Sequence, residues 1–127
     1  MWSYATGEME RELNGHSDVV LDLAVRGDRI ASTSRDGTVR AWNATTGEEL
    51  GTFRHGYKVF AVAFVSDNVI AAGDDFGRVL LWNLVTGEKM HTIQAHEKRV
   101  RDLVVSPDGR LILSGSYDGT AKTWGVP

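Results

Sequence analysis

His16, Ser32 and Asp36 are the residue types of a nucleophilic relay, and His96, Ser114 and Asp118 repeat them later in the chain. In such a relay a histidine takes the proton of a serine nucleophile and a carboxylate orients the histidine. An enzyme needs one such set, whereas a set that returns with a fixed period belongs to the frame of the fold. Other chemical signatures also fail. Gly115-Ser116-Tyr117-Asp118-Gly119 lacks the glycines two residues either side of the serine that a nucleophile elbow requires. His96-Glu97-Lys98-Arg99 lacks the second histidine of a zinc protease helix. His16, His55 and His96 fall in three different repeats rather than one coordination sphere. His91 falls in an outer, solvated stretch, and Asp67, Asp74 and Asp75 read as turn carboxylates. The expectation is a non-catalytic protein with no metal and no cofactor.

The elements that position these residues follow from a repeat. Tryptophan stands at Trp2, Trp42, Trp82 and Trp124, about every 40 residues, and Thr6-Gly7, Thr46-Gly47 and Thr86-Gly87 keep the same beat. Leu13, Phe53 and Ile93 follow those glycines at one fixed offset. In the stretch 15–53, Val19 to Val25 is a short apolar run rich in β-branched residues, and Arg26-Gly27-Asp28 turns the chain. Ile30 to Ser34 is a second strand, Asp36-Gly37 a hairpin signal, and Thr38 to Trp42 a third strand. After Thr45-Thr46-Gly47, Glu48 to Phe53 is a fourth, more polar strand. Four short strands fill the repeat and leave no room for a helix, so the class is all-β. A meander with buried inner strands and a wet outer edge is a β-propeller blade of four antiparallel strands.

The chain has 127 residues, enough for one domain with a sizeable core. Its formal net charge of -3 argues against a dedicated nucleic-acid binder. Without cysteine it has no disulfide framework or thiol nucleophile. No apolar run reaches membrane-spanning length, and Met1 to Asn14 carries Glu8, Glu10 and Glu12 instead of an apolar signal core. The expected location is the cytoplasm, with the nucleus open as well. Asn43-Ala44-Thr45 is a glycosylation sequon, idle in that setting.

These residues resemble the WD40 repeat family along the whole chain. Gly15-His16, Ser32, Asp36-Gly37 and Trp42-Asn43 carry the likeness in blade one, about 15–53. Blade three, about 95–126, has Ala95-His96, Ser106-Pro107-Asp108-Gly109, Ser114, Asp118-Gly119 and Trp124. Blade two, about 55–93, is looser, with His55, Asp67-Asn68 and Trp82 but Phe76-Gly77 in place of Asp-Gly. The resemblance implies a hydrogen-bonded tetrad of His16, Ser32, Asp36 and Trp42, and another of His96, Ser114, Asp118 and Trp124. Ala72 and Phe76 break the tetrad of blade two, leaving His55 and Trp82, with Asp74 or Asp75 as a substitute partner for His55. Blade two is therefore expected to be the least stable.

The resemblance also implies a peptide- or protein-binding face around the central channel. Its positions would be Val19, Leu21 and Arg35 in blade one, Lys58, Phe60 and Asp75 in blade two, and Arg99, Arg101 and Tyr117 in blade three. The set is basic and aromatic, which suits an acidic or phosphorylated partner segment. Nucleic acid is the alternative anionic ligand, to be told apart by its salt dependence.

In this family the first outer strand completes the last blade. Here Glu8, Met9, Glu10, Arg11, Glu12 and Leu13 form that spare outer strand, and the last blade ends at its third. The total is twelve strands, or three blades, too few to close around a channel. Three blades would expose apolar faces and strand edges at both ends. A homodimer is expected to close the ring with six blades, a homotrimer with nine. Another partial propeller, or the rest of a longer array, are the alternatives, as is a purely structural half-propeller without a ligand. Trp2 duplicates the position of Trp124 and marks the joint.

Overall fold

The computed structural model describes residues 13–126. Most of Glu8 to Leu13, together with Trp2, lies outside them. The described chain is eleven strands: β1 (Val20–Arg26), β2 (Arg29–Ser34), β3 (Thr38–Asn43), β4 (Glu49–Arg54), β5 (Val59–Ser66), β6 (Val69–Asp74), β7 (Arg78–Asn83), β8 (Lys89–Gln94), β9 (Val100–Val105), β10 (Leu111–Ser116) and β11 (Ala121–Gly125). They form two four-stranded antiparallel meanders, β1-β2-β3-β4 and β5-β6-β7-β8, and a three-stranded one, β9-β10-β11. The hairpin between β2 and β3 needs a left-handed residue, and Gly37 supplies it at φ 83°.

Side chains alternate across a pleated strand, so each blade has two faces. In blade one, Leu23, Ser32 and Arg40 lie opposite one another in register, as do Val25, Ile30 and Trp42, and these share a face. Ala31, Val39, Ala41 and Phe53 form the other face, which packs on Val59, Val62, Phe64, Ile70, Leu80 and Trp82 of blade two. The opposite face of blade two, with Ala61, Ala71, Val79 and Leu81, packs on Val100, Leu103 and Ile112 of blade three. The innermost strands β1, β5 and β9 touch in series. Small residues set how closely blades approach. A Cβ on Gly73 would stand 2.5 Å from Val100 of the next blade.

Among the described residues, two blade faces stay uncovered. Leu23 and Val25 are 60% and 69% exposed, although their register equivalents Val62 and Phe64 are buried. Val104, Leu111 and Leu113 are exposed on the far side of blade three. A Cβ on Gly115, the counterpart of Gly73, would meet nothing within 4 Å among the described residues.

Candidate functional site

Blades one and three hold the same buried chain of hydrogen bonds. Trp42 Nε1 donates to Ser32 Oγ at 3.0 Å, and Ser32 lies 2.7 Å from His16 Nε2. His16 Nδ1 reaches Asp36 Oδ2 at 3.0 Å. In blade three Trp124 Nε1 donates to Ser114 Oγ at 3.0 Å, Ser114 lies 2.7 Å from His96 Nε2, and His96 Nδ1 reaches Asp118 Oδ2 at 3.0 Å. The carboxylates of Asp36 and Asp118 can only accept, so the imidazole proton sits on Nδ1, and Nε2 accepts from the serine hydroxyl, whose oxygen accepts from the indole N–H. Ser32 and Ser114 are 3% and 1% exposed. Their oxygens are walled in and already shared by two partners, so neither can meet a substrate.

Sequence reasoning overlooked two threonines. Thr38 Oγ1 donates to Asp36 Oδ1 at 2.5 Å and Thr120 Oγ1 to Asp118 Oδ1 at 2.6 Å. Both follow an Asp-Gly pair, which is the signal that would have found them. For Asp36, burial works against ionisation, and hydrogen bonds from Thr38, Ser17 and His16 overcome it and hold the carboxyl well below its ordinary range. For Asp118, the Thr120 hydroxyl contributes most to the same effect.

Blade two is wired differently. Asp74, not Asp75, meets His55, with Oδ2 at 2.9 Å from Nε2, and the same oxygen accepts from Arg78 Nε at 2.6 Å. Lys89 Nζ stands 3.1 Å from His55 Nδ1. An ammonium only donates, so Nδ1 accepts and the ring proton sits on Nε2, the reverse of His16 and His96. Trp82 meets the His55 ring edge-on at 5.7 Å. Burial opposes the charge on Asp74, and bonds from His55 and Arg78 outweigh it and lower its pKa.

One backbone hydrogen bond per blade builds the face. Arg35 N donates to Val19 O, Asp75 N to Lys58 O and Tyr117 N to Arg99 O. Each couples the start of an innermost strand to the residue before the next turn, so both side chains emerge together. A cleft of about 280 Å³ opens where the blades converge, lined by Leu21, Phe60, Arg99, Arg101 and Tyr117 together with Asp22 and Asp102. Val19 is exposed outside it, and Arg35, Lys58 and Asp75 line a neighbouring cleft instead.

The charges of the main cleft are unequal. Arg99 Nε is bound to Asp75 at 2.9 Å and its guanidinium lies 3.7 Å over the Phe60 ring, so it serves as a brace. Arg101 has no carboxylate partner among the described residues, and its Nη1 donates to Tyr117 Oη at 2.8 Å. Asp22 and Asp102 escaped sequence reasoning. Asp22 Oδ2 accepts the Val62 amide of blade two at 3.0 Å and so joins the blades, and no sequence signal marks that contact.

The comparisons agree with this architecture. The WD domain, G-beta repeat family matches residues 7–43 and 87–125. Among curated relatives, the nuclear distribution protein PAC1 of Arthroderma benhamiae is 32% identical over 99% of this chain and 31% of its own length. PAC1 of Ajellomyces capsulatus is 36% identical over 99% of this chain and 29% of its own. The chain thus spans under a third of these relatives. The crystal structure of the computationally designed Ika8 protein is similar with a TM-score of 0.84 and 31% identity, over 98% of this chain and 39% of that one. No helix among the described residues is long and apolar enough to cross a membrane. With the repeat, the blades and these matches together, the chain belongs to the WD40 family, whose repeats build protein-interaction scaffolds.

Proposed function

We propose that the chain is a non-catalytic scaffold that closes into a ring with a second copy and binds a peptide or protein segment at the Arg101 cleft. The observation that carries the binding reading is the convergence of Leu21, Phe60, Arg101 and Tyr117, from all three blades, on one opening. Arg101 would receive an acidic or phosphorylated side chain, while Phe60 and Tyr117 pack its apolar neighbour. Arg99, already paired, positions Phe60 and receives nothing. The chain's formal net charge of -3 disfavours a nucleic-acid backbone as the ligand. Such a scaffold works in the cytoplasm, and the PAC1 relatives point to a part in nuclear distribution. Titration with synthetic acidic, phosphorylated and neutral peptides tests this. Arg101→Ala and Tyr117→Ala should each weaken binding about tenfold, and affinity unchanged in both would end the idea.

Closure rests on the two uncovered faces. They are the two halves of an interface that the chain already makes twice, with Leu23 and Val25 on one side and Val104 and Leu113 on the other. Blade three has three strands among the described residues, and its fourth, outer strand would come from residues 8–13 of the second copy. In blade one Phe53 pairs with Val39 and Thr52 with Arg40. By that register Leu13 would face Ala121 and Glu12 would face Lys122, a favourable cross-strand charge pair. The remaining blades of a longer WD40 protein would cover the same faces, and light scattering separates the two. A monodisperse monomer of this chain refutes self-closure.

A further inference from the structure

We propose that blade two carries a second binding site, at its rim, for an acidic peptide segment that presents an aromatic side chain. It goes beyond the Arg101 cleft and shares with it only the reading of this face as an interaction surface.

The site exists because blade two relocates its carboxylate. In blades one and three the residue before the turn glycine is Asp36 or Asp118, bound to a histidine. In blade two that task has moved to Asp74, and the vacated position holds Phe76. Phe76 is 51% exposed and meets Tyr57, 49% exposed, edge-on at 5.0 Å and 89°. These two rings form a wall shared by two clefts of about 270 and 230 Å³. Two large rings half in water are available for burial by a partner. The Phe76 carbonyl is fixed by Gln94 Nε2 at 2.9 Å, so the ring is displayed from an anchored turn.

Charge decides the partner. Arg78 lies over both rings, at 5.0 Å from Tyr57 and 5.4 Å from Phe76. Its Nε is held by Asp74 at 2.6 Å, so its charge is already paired and it braces the two rings. On the other side of the wall Arg35 and Lys58 make no side-chain hydrogen bond or ion pair among the described residues. The two carboxylates there are committed, Asp36 to His16, Ser17 and Thr38, and Asp75 to Arg99. Two unpaired cations, Arg35 and Lys58, beside an aromatic wall repel a cationic ligand and attract carboxylates. The rings stand perpendicular and offer no parallel pair for stacked bases, which favours a peptide over a nucleic acid.

The test uses a short synthetic peptide of aspartates and glutamates around one tryptophan, titrated into isotope-labelled protein and followed by amide chemical shifts. The expected shifts cluster at Tyr57, Lys58, Phe76 and Gly77. Phe76→Ala and Lys58→Glu, both on the surface, should each weaken binding about tenfold, and an asparagine–glutamine version of the peptide should not bind. Unchanged binding by Phe76→Ala overturns the site. Shifts confined to Arg101 and Tyr117 overturn it as well and leave the Arg101 cleft standing. Shifts at Phe76 that survive Arg101→Ala support this site whatever becomes of the other. An oligothymidine that moves the same amides more strongly than the peptide overturns the choice of partner.

Discussion

Asp74 reaches His55 at 2.9 Å from a place in the chain where blades one and three carry Ser34 and Ser116. The substitution moves the carboxylate two residues and reverses the imidazole. His16 and His96 present Nδ1 to their aspartates, whereas His55 presents Nε2. Asp74 also takes over the turn, since its Oδ1 accepts the amides of Phe76 and Arg78, both at 2.9 Å.

Asp74→Asn is expected to destabilise the chain by about 3 kcal/mol, because removing one partner of a buried pair strands the other. His55 and Arg78 would both lose the carboxylate. Urea unfolding at neutral pH measures it. A cost under about 1 kcal/mol would place the ion pair among those worth little, as most surface pairs are.

Blade two, expected from its broken tetrad to be the weakest, is the one packed on both faces. Its inner residues Ile70, Leu80 and Leu81 are buried, whereas among the described residues nothing covers the far face of blade three or pairs with the outer edge of β11. Packing over two faces outweighs one lost serine link, since a hydrogen bond contributes about 1 kcal/mol net and a buried aliphatic side chain about 2. Amide exchange at low protein concentration should therefore be slowest in β6 and β7. Equal protection in β11 would contradict this.

Gly73 and Gly115 occupy one position in two blades and separate folding from assembly. Gly73→Val drives a side chain into Val100 and should unfold the chain or cost several kcal/mol, on the order of 3. Gly115→Val meets open space among the described residues and should leave unfolding within about 0.5 kcal/mol. If a second copy closes the ring, its Val20 would occupy the role of Val100, and Gly115→Val should abolish the dimer. A dimer that survives Gly115→Val is joined elsewhere.

Asp36, Asp74 and Asp118 are all held below the ordinary carboxylate range. Each binds its proton less tightly in the folded chain than in the unfolded one, so added protons favour unfolding. Their contribution is full above about pH 4 and is lost as pH falls from there through the folded pKa values. Asp36→Asn should thus flatten the acid limb of a stability curve. An acid limb of unchanged slope would mean that other carboxylates carry it.

The repeat, the strand class and the blade count were legible because tryptophan, histidine and Asp-Gly recur along the sequence at one spacing. That Asp74 would serve His55 was legible only as a choice between neighbours. The choice falls to strand alternation, which turns Asp74 inward and Asp75 toward Arg99. Arg99 read as a spare cation because sequence shows a charge without its partner. Asp22 was invisible as a joint because its acceptor role depends on the Val62 amide of the next blade, which no pattern within one repeat encodes.

The bonds from Arg35 to Val19, Asp75 to Lys58 and Tyr117 to Arg99 involve backbone atoms alone. Val19, Arg35 and Lys58 are therefore free to mutate without loosening the hairpins beneath, whereas Asp75 and Arg99 brace the cleft and Tyr117 holds Arg101. Those three are interchangeable letters on a constant stem, and gene drift can rewrite them one at a time. Phe76 shows the complementary route, in which relocating one structural carboxylate adds a further letter to the surface.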